Sequence, residues 1–155
     1  MCGIESKCVE MCRNVSKCDK RSRKESFSRM DTFKNPVTWF EIYVDDLERA
    51  KEFYESLFSI ELLPQESSPD FKALRFPGGM PGLGSMGGLM QHPMRKPSRE
   101  GTLVYFHVED CGVIAERAAS LGAQVFRPKW SIGADGFIAI IGDSEGNAIG
   151  LHSFR

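Results

Sequence analysis

Long apolar runs are absent from this 155-residue chain. The longest candidate, Phe137-Ile138-Ala139-Ile140-Ile141, is strand-sized, far short of the roughly 18 residues of a membrane span. Excess positive charge is absent too. Lys and Arg number 20 against 21 Asp and Glu, a net of −1, so there is no electrostatic case for a nucleic-acid partner. Cysteine is scarce outside one stretch: Cys2, Cys8, Cys12 and Cys18 fall in the first 31 residues, and Cys111 is the only other. That stretch also has few large aliphatics, and its net charge is +3 against −4 for the remainder. It cannot bury enough apolar surface to order itself. Residues 1–33 are therefore expected to be a disordered tail, and residues 34–155 a folded domain. The tail cysteines follow C-x5-C-x3-C-x5-C, unlike the closely paired ligands of zinc sites, so no metal is expected there. No apolar h-region of a signal peptide precedes the domain, and a cytoplasmic location is the expectation. The change of composition leaves open that Met30 is the true start.

What the sequence does contain is self-similarity. Shifted by 64 positions, Thr38–Asp46 falls on Thr102–Asp110, and the ungapped match runs on to Pro64 and Pro128. Identical pairs include Val44/Val108, Asp46/Asp110, Glu52/Glu116 and Leu57/Leu121. In each copy a strand pattern comes first. Phe40, Ile42 and Val44 alternate with Trp39, Glu41 and Tyr43; Val104, Phe106 and Val108 alternate with Leu103, Tyr105 and His107. Asp46 or Asp110 then stands at a helix N-cap position. Amphipathic stripes follow, Leu47/Ala50/Tyr54/Leu57/Phe58 and Cys111/Ile114/Ala118/Leu121, and Gly122 is a plausible C-cap. Three further strands complete each copy, near 60–63, 71–76 and 87–91, then near 123–127, 136–141 and 147–153. Asp143-Ser144-Glu145-Gly146-Asn147 reads as a hairpin turn. The pattern predicts an α+β fold of two tandem βαβββ modules, 36–92 and 101–154, forming a curved sheet around one small-molecule cleft.

The segments Pro36–Ile42 and Asp46-Leu47-Glu48-Arg49-Ala50-Lys51-Glu52-Phe53-Tyr54, with Gly142–Leu151 at the end, resemble the vicinal oxygen chelate proteins. That group includes glyoxalase I, the bleomycin- and fosfomycin-resistance proteins and extradiol dioxygenases. The resemblance spans about residues 36–154 and implies the paired-module fold. It says little about reaction, since one fold hosts many functions. Enzymes of the group hold a divalent metal with side chains from the first strand and last strand of each module. Carried over residue by residue, those places are Trp39, Gly88, Leu103 and Gly150, none of which has a coordinating side chain of the family's kind. The resemblance therefore points to the glyoxalase-related branch poor in metal ligands, with no metal and no cofactor expected.

The remaining candidates face the expected cleft. Glu41 is costly to bury unpaired. It is a candidate general base, a hydrogen-bond acceptor for a ligand, or a group paired structurally, for example with Tyr105. His107 and His152 share its parity, but His107 lies four residues past the usual ligand position, roughly 13 Å along a strand, and reads as a rim histidine. Trp39, Tyr43, Tyr105, Trp130 and Phe137 are candidate aromatic walls. With Gly88, Leu103, Gly150 and the two histidines they form the expected binding set. Gly82-Leu83-Gly84-Ser85-Met86-Gly87 matches G-x-G-x-x-G, but a dinucleotide site needs a helix after it, so a flexible hairpin loop is expected. Cys111 lies on a buried stripe and reads as packing. Two functions remain open. One is binding of a small, partly apolar molecule in a metal-free cleft. The other is a lactoylglutathione lyase-related enzyme (lyase, isomerase or dioxygenase-like) using Glu41, with or without a displaced divalent metal. Both modules lie in one chain, so monomer and homodimer are both admissible.

Overall fold

A computed structural model describes residues 37–65, 67, 71–78 and 85–155. The tail cysteines, and Gly82 to Gly84 of the glycine-rich segment, lie outside the described residues. The chain divides into two compact units, Met1–Thr38 and Trp39–Arg155, and the helices and strands of the described residues lie in the second.

The first module runs β1 (Trp39–Tyr43), α1 (Leu47–Phe58), β2 (Leu63–Pro64), β3 (Lys72–Arg75) and β4 (Met86–Gln91). The second runs β5 (Tyr105–His107), α2 (Cys111–Ser120), β6 (Val125–Ser131), a short 3-10 turn (Gly133–Asp135), β7 (Phe137–Gly142) and β8 (Ala148–Ser153). They form two four-stranded sheets with equivalent orders, β1-β4-β3-β2 and β5-β8-β7-β6. In each, the first strand pairs in parallel with the last and the other pairings are antiparallel. The expected α+β plan holds, with β1 and β5 as edge strands of separate sheets.

Local chemistry accounts for the elements. In β1 the alternation buries Ile42 and leaves Trp39 and Glu41 exposed. Both helices start on the predicted aspartates: Asp46 accepts from the backbone N–H of Glu48 and Arg49, Asp110 from those of Gly112 and Val113, satisfying otherwise orphaned donors. At the end of α1, Ser59 takes a left-handed φ of 55°. Past α2, Leu121 is the cap residue and Gly122 follows at φ 85°, a conformation glycine adopts without a Cβ penalty. The buried stripe of α1 includes Phe53, while Phe58 is half-buried. That of α2 is Cys111, Ala115 and Ala118; Leu121 is largely exposed because it caps the helix rather than lying within it.

One core serves both modules, joining Ile42, Val44, Leu57 and Leu89 to Ala139, Ile141, Ile149 and Leu151. Two devices stand out among the contacts that couple the halves. Phe106 on β5 enters an aromatic cage of the first module, with ring centroids 5.9 Å from Phe40, 6.2 Å from Tyr54, 4.8 Å from Phe58 and 5.3 Å from Phe76. The second device is the β7–β8 turn. Its Glu145 side chain is fully buried and accepts from Arg49 at 2.6 and 2.8 Å, and from the backbone N–H of Asp45 and Asp46 at 3.0 and 2.9 Å. Its buried Asp143 accepts the Tyr54 hydroxyl at 2.8 Å, and Asn147 donates to the Tyr43 carbonyl at 3.0 Å. Two of the segments that carry the sequence resemblance are thus bonded to one another, Arg49 and Tyr54 of the helix to Glu145 and Asp143 of the turn.

This clasp is pH-sensitive. Burial raises the Glu145 carboxyl, but its bonds from Arg49, Asp46 and Asp45 outweigh that and hold it below the ordinary carboxylate range. A carboxyl depressed in the folded state contributes stability above its unfolded pKa and loses it as pH falls through the folded value. The midpoint in urea should therefore fall as pH is lowered from neutrality through about 4, and Glu145→Gln should flatten that decline while lowering the neutral midpoint. An unchanged acid limb in Glu145→Gln would count against the clasp.

Candidate functional site

Register fixes what shares a face, since in-register partners point the same way. On the first sheet Trp39 lies beside Met86, Glu41 beside Gly88 and Tyr43 beside Met90. Glu41 is exposed, and its partner is Tyr43 on the same face, not Tyr105: the Tyr43 hydroxyl donates to Glu41 Oε2. That hydrogen bond, with partial burial and the carboxylate charge, raises the Tyr43 phenol above its ordinary pKa against the opposing pull of Arg95. The Arg95 guanidinium stands 5.8 Å from the Tyr43 ring. On the second sheet Tyr105 lies beside Gly150 and His107 beside His152. The Tyr105 ring covers Gly150, where a Cβ would stand 2.3 Å from it. Leu103 precedes β5 and is half-buried.

Four of the expected site residues border two separate recesses. Glu41 and Tyr43 border a small one of about 120 Å³ with Lys96, Ser98, Thr102 and Asn147. Tyr105 and His107 line a larger one of about 690 Å³, walled by Phe40, Phe76, Phe106 and Met86. This second recess wraps the free edge of β5, so it takes side chains from both faces of that strand. Arg117 closes one end, donating to the Leu57 carbonyl at 2.9 Å and to Ser59 Oγ at 3.0 Å. Three of the expected aromatics are in neither lining, Trp39 beside Met86 among them. Phe137 pairs with Ser153, whose Oγ accepts from the Cys111 amide, so it points to the helix side and packs on the core. Trp130 is 59% exposed and lies against Arg127 at 5.2 Å. Sequence reading missed Phe40, Phe76 and Phe106 as lining residues. Apolar parity marked Phe40 and Phe106 as core, and only the edge position of β5 opens them to the recess.

Residues 37–65 match the family model described as bleomycin resistance protein-like N-terminal. No curated protein matches the chain. Solved structures do. A domain described as glyoxylase/bleomycin resistance protein/dioxygenase from Frankia sp. EAN1pec superposes with a TM-score of 0.61 at 22% identity, over 79% of this chain and 100% of that one. Glyoxalase I from Zea mays gives 0.60 at 21%, over 77% of this chain and 46% of that one. The trypanothione-dependent glyoxalase I of Leishmania major gives 0.60 at 16%, over 78% and 88%. The chain has the vicinal oxygen chelate fold. It spans just under half the length of the maize enzyme.

The metal-binding places of the vicinal oxygen chelate fold do not fit an ion here. Trp39 offers an indole and Leu103 an isobutyl group, neither of them a ligand. At Gly88 a Cβ would stand 2.4 Å from the Leu74 carbonyl oxygen, so a side chain there would need the backbone to move, and at Gly150 it would meet the Tyr105 ring, which would have to turn aside. Among the described residues no group of three or more His, Cys, Asp or Glu is placed to hold a metal, and no helix is long and apolar enough to cross a membrane.

Proposed function

We propose that this chain binds a small, partly apolar molecule in the recess at the free edge of β5, without an ion at the fold's usual metal position. The recess of about 690 Å³ carries the reading. Its volume suits a ligand of drug size, and a mostly apolar wall with a few polar groups is the ordinary make-up of such sites. Tyr105 and His107 supply those polar groups, with Arg117 at one end of the recess. Both sheets come from one chain, so the recess needs no second copy. Cys111 is a free, buried thiol, in keeping with a reducing compartment such as the cytoplasm.

A thermal-shift screen of aromatic and amphipathic small molecules in excess chelator tests this. A ligand at about 100 times its Kd adds about 2.7 kcal/mol, which is several degrees in a domain of this size. Tyr105→Ala should abolish the shift and barely change the unliganded midpoint, because that side chain is 45% exposed. Stabilisation that needs added metal, or that survives Tyr105→Ala, would overturn the proposal.

The Tyr43–Glu41 hydrogen bond supports a second reading, a glyoxalase I-related lyase in which Glu41 moves a proton. The same protein, stripped of metal, should then turn over the glyoxalase substrate, and Glu41→Gln should lose at least the roughly hundredfold that general base catalysis contributes. Equal rates in the two proteins would remove this reading and leave the binding one standing.

A further inference from the structure

The parallel pair β5 and β8 ends in two histidines held side by side. His107 and His152 are in-register partners, and their ring centroids lie 5.8 Å apart with the planes inclined by 41°. Two imidazoles sharing one ion at metal–nitrogen lengths of about 2.0–2.1 Å have centroids roughly 5–6 Å apart, a spacing that this pair matches. A second observation singles out His152. Its Nε2 lies 2.7 Å from the Asp135 carbonyl oxygen, which can only accept. Nε2 therefore donates, which leaves Nδ1 as the nitrogen available to a ligand. A histidine whose far nitrogen donates to a backbone carbonyl is the usual arrangement behind a metal ligand, since it fixes both tautomer and ring orientation.

The surroundings limit what the pair can hold. Among the described residues the His107 ring makes no hydrogen bond, and its recorded neighbours are the rings of His152 and Phe154, the latter at 5.7 Å. Glu109, next on the same face, is paired with Arg155. With no third ligand in place, an ion here would keep its remaining positions for water or a small molecule. His107 also lines the large recess, so those positions open towards it.

We propose that His107 and His152 form a two-histidine site for a borderline divalent transition ion such as Ni2+, Cu2+ or Zn2+, at the rim of the second sheet and away from Trp39, Gly88, Leu103 and Gly150. Imidazole suits these ions, whereas Mg2+ and Ca2+ prefer oxygen. The site shares His107 with the lining of the recess, but binding in the recess is tested in chelator, so the two proposals fail separately.

The chain carries its own control, because it has three histidines and His92 lies apart, its Nδ1 accepting the Met94 amide. Full-length protein with its accessible thiols alkylated, to silence the tail cysteines, is titrated with sub-stoichiometric Ni2+ and followed by the imidazole NMR resonances. The His107 and His152 signals should broaden first and together, and His92 should stay sharp. His107→Ala and His152→Ala should each weaken Ni2+ binding at least tenfold in calorimetry, while Mg2+ gives no heat. Equal broadening of all three histidines, no binding after alkylation, or an affinity unchanged in either variant would overturn the site.

Discussion

Asp143→Ala is expected to destabilise the folded unit by about 3–5 kcal/mol, because it strands several buried hydrogen-bond donors at about 1–3 kcal/mol each. The carboxylate sits in the β7–β8 turn and is buried. It accepts four hydrogen bonds: the Tyr54 hydroxyl at 2.8 Å, Asn147 Nδ2 at 2.8 Å, and the backbone N–H of Asn147 and Glu145 at 2.8 and 2.9 Å. Alanine removes the acceptor and leaves the donors behind. Tyr54 is wholly buried. Burial, the Asp143 charge and the hydrogen bond push its phenol well above the ordinary value, so it stays protonated and still needs a partner. Each stranded donor costs about 1–3 kcal/mol. The loss also spreads, because Asn147 holds the Ser98 amide at 2.7 Å and the Tyr43 carbonyl at 3.0 Å. Tyr54→Phe removes one donor and leaves the carboxylate its other three, so it should cost only about 1 kcal/mol. Urea denaturation with an unchanged m-value measures both. If Asp143→Ala proved no worse than Tyr54→Phe, the turn would be a hairpin and nothing more.

That turn also shows where sequence reading stops. Asp143 to Asn147 is legible as a turn from its composition, and Asp46 and Asp110 as caps from their place before an apolar stripe. Both are local signals. The bonds from Glu145 and Asp143 to Arg49 and Tyr54 cross separations of 96 and 89 residues, and no local pattern announces them. Facing is legible only where the two faces differ. Trp39/Glu41/Tyr43 against Phe40/Ile42 decides β1. In β7 the run Phe137 to Ile141 is apolar on both faces, so parity cannot say which way Phe137 points, and Ser153 opposite it settles the matter. Trp130 defeats counting for another reason. The register of β6 shifts between Val125 and Arg127 and again between Arg127 and Trp130, and each irregularity resets which residues share a face. Phe106 was legible as apolar, but its cage is built from residues of the other module.

Phe106→Ala should therefore be the second large effect, about 3 kcal/mol and roughly 10 °C in midpoint. The ring reaches across from the second module and touches four aromatic rings of the first, so truncation opens a cavity between elements that cannot close by a local side-chain shift. A hydrophobic swap keeps most of the volume, and Phe106→Leu should cost less than about 1.5 kcal/mol. Trp130→Ala removes a larger side chain but one that is 59% exposed, and surface changes of that kind stay within about 0.5 kcal/mol. The ordering separates two accounts of how the modules hold together. If the β7–β8 clasp did so alone, Phe106→Ala would cost no more than a half-buried surface residue. If the cage shares the task, Phe106→Ala and Asp143→Ala should couple, because each loosens the same junction and the second loss finds it already loosened. A double-mutant cycle would then return a combined cost below the sum of the singles by more than about 0.5 kcal/mol. Simple additivity would mean that the two contacts fasten independent parts of the junction. Phe106 also walls the recess, so its alanine variant should lose the ligand-induced shift that Phe106→Leu retains, which ties the coupling of the modules to the site they enclose.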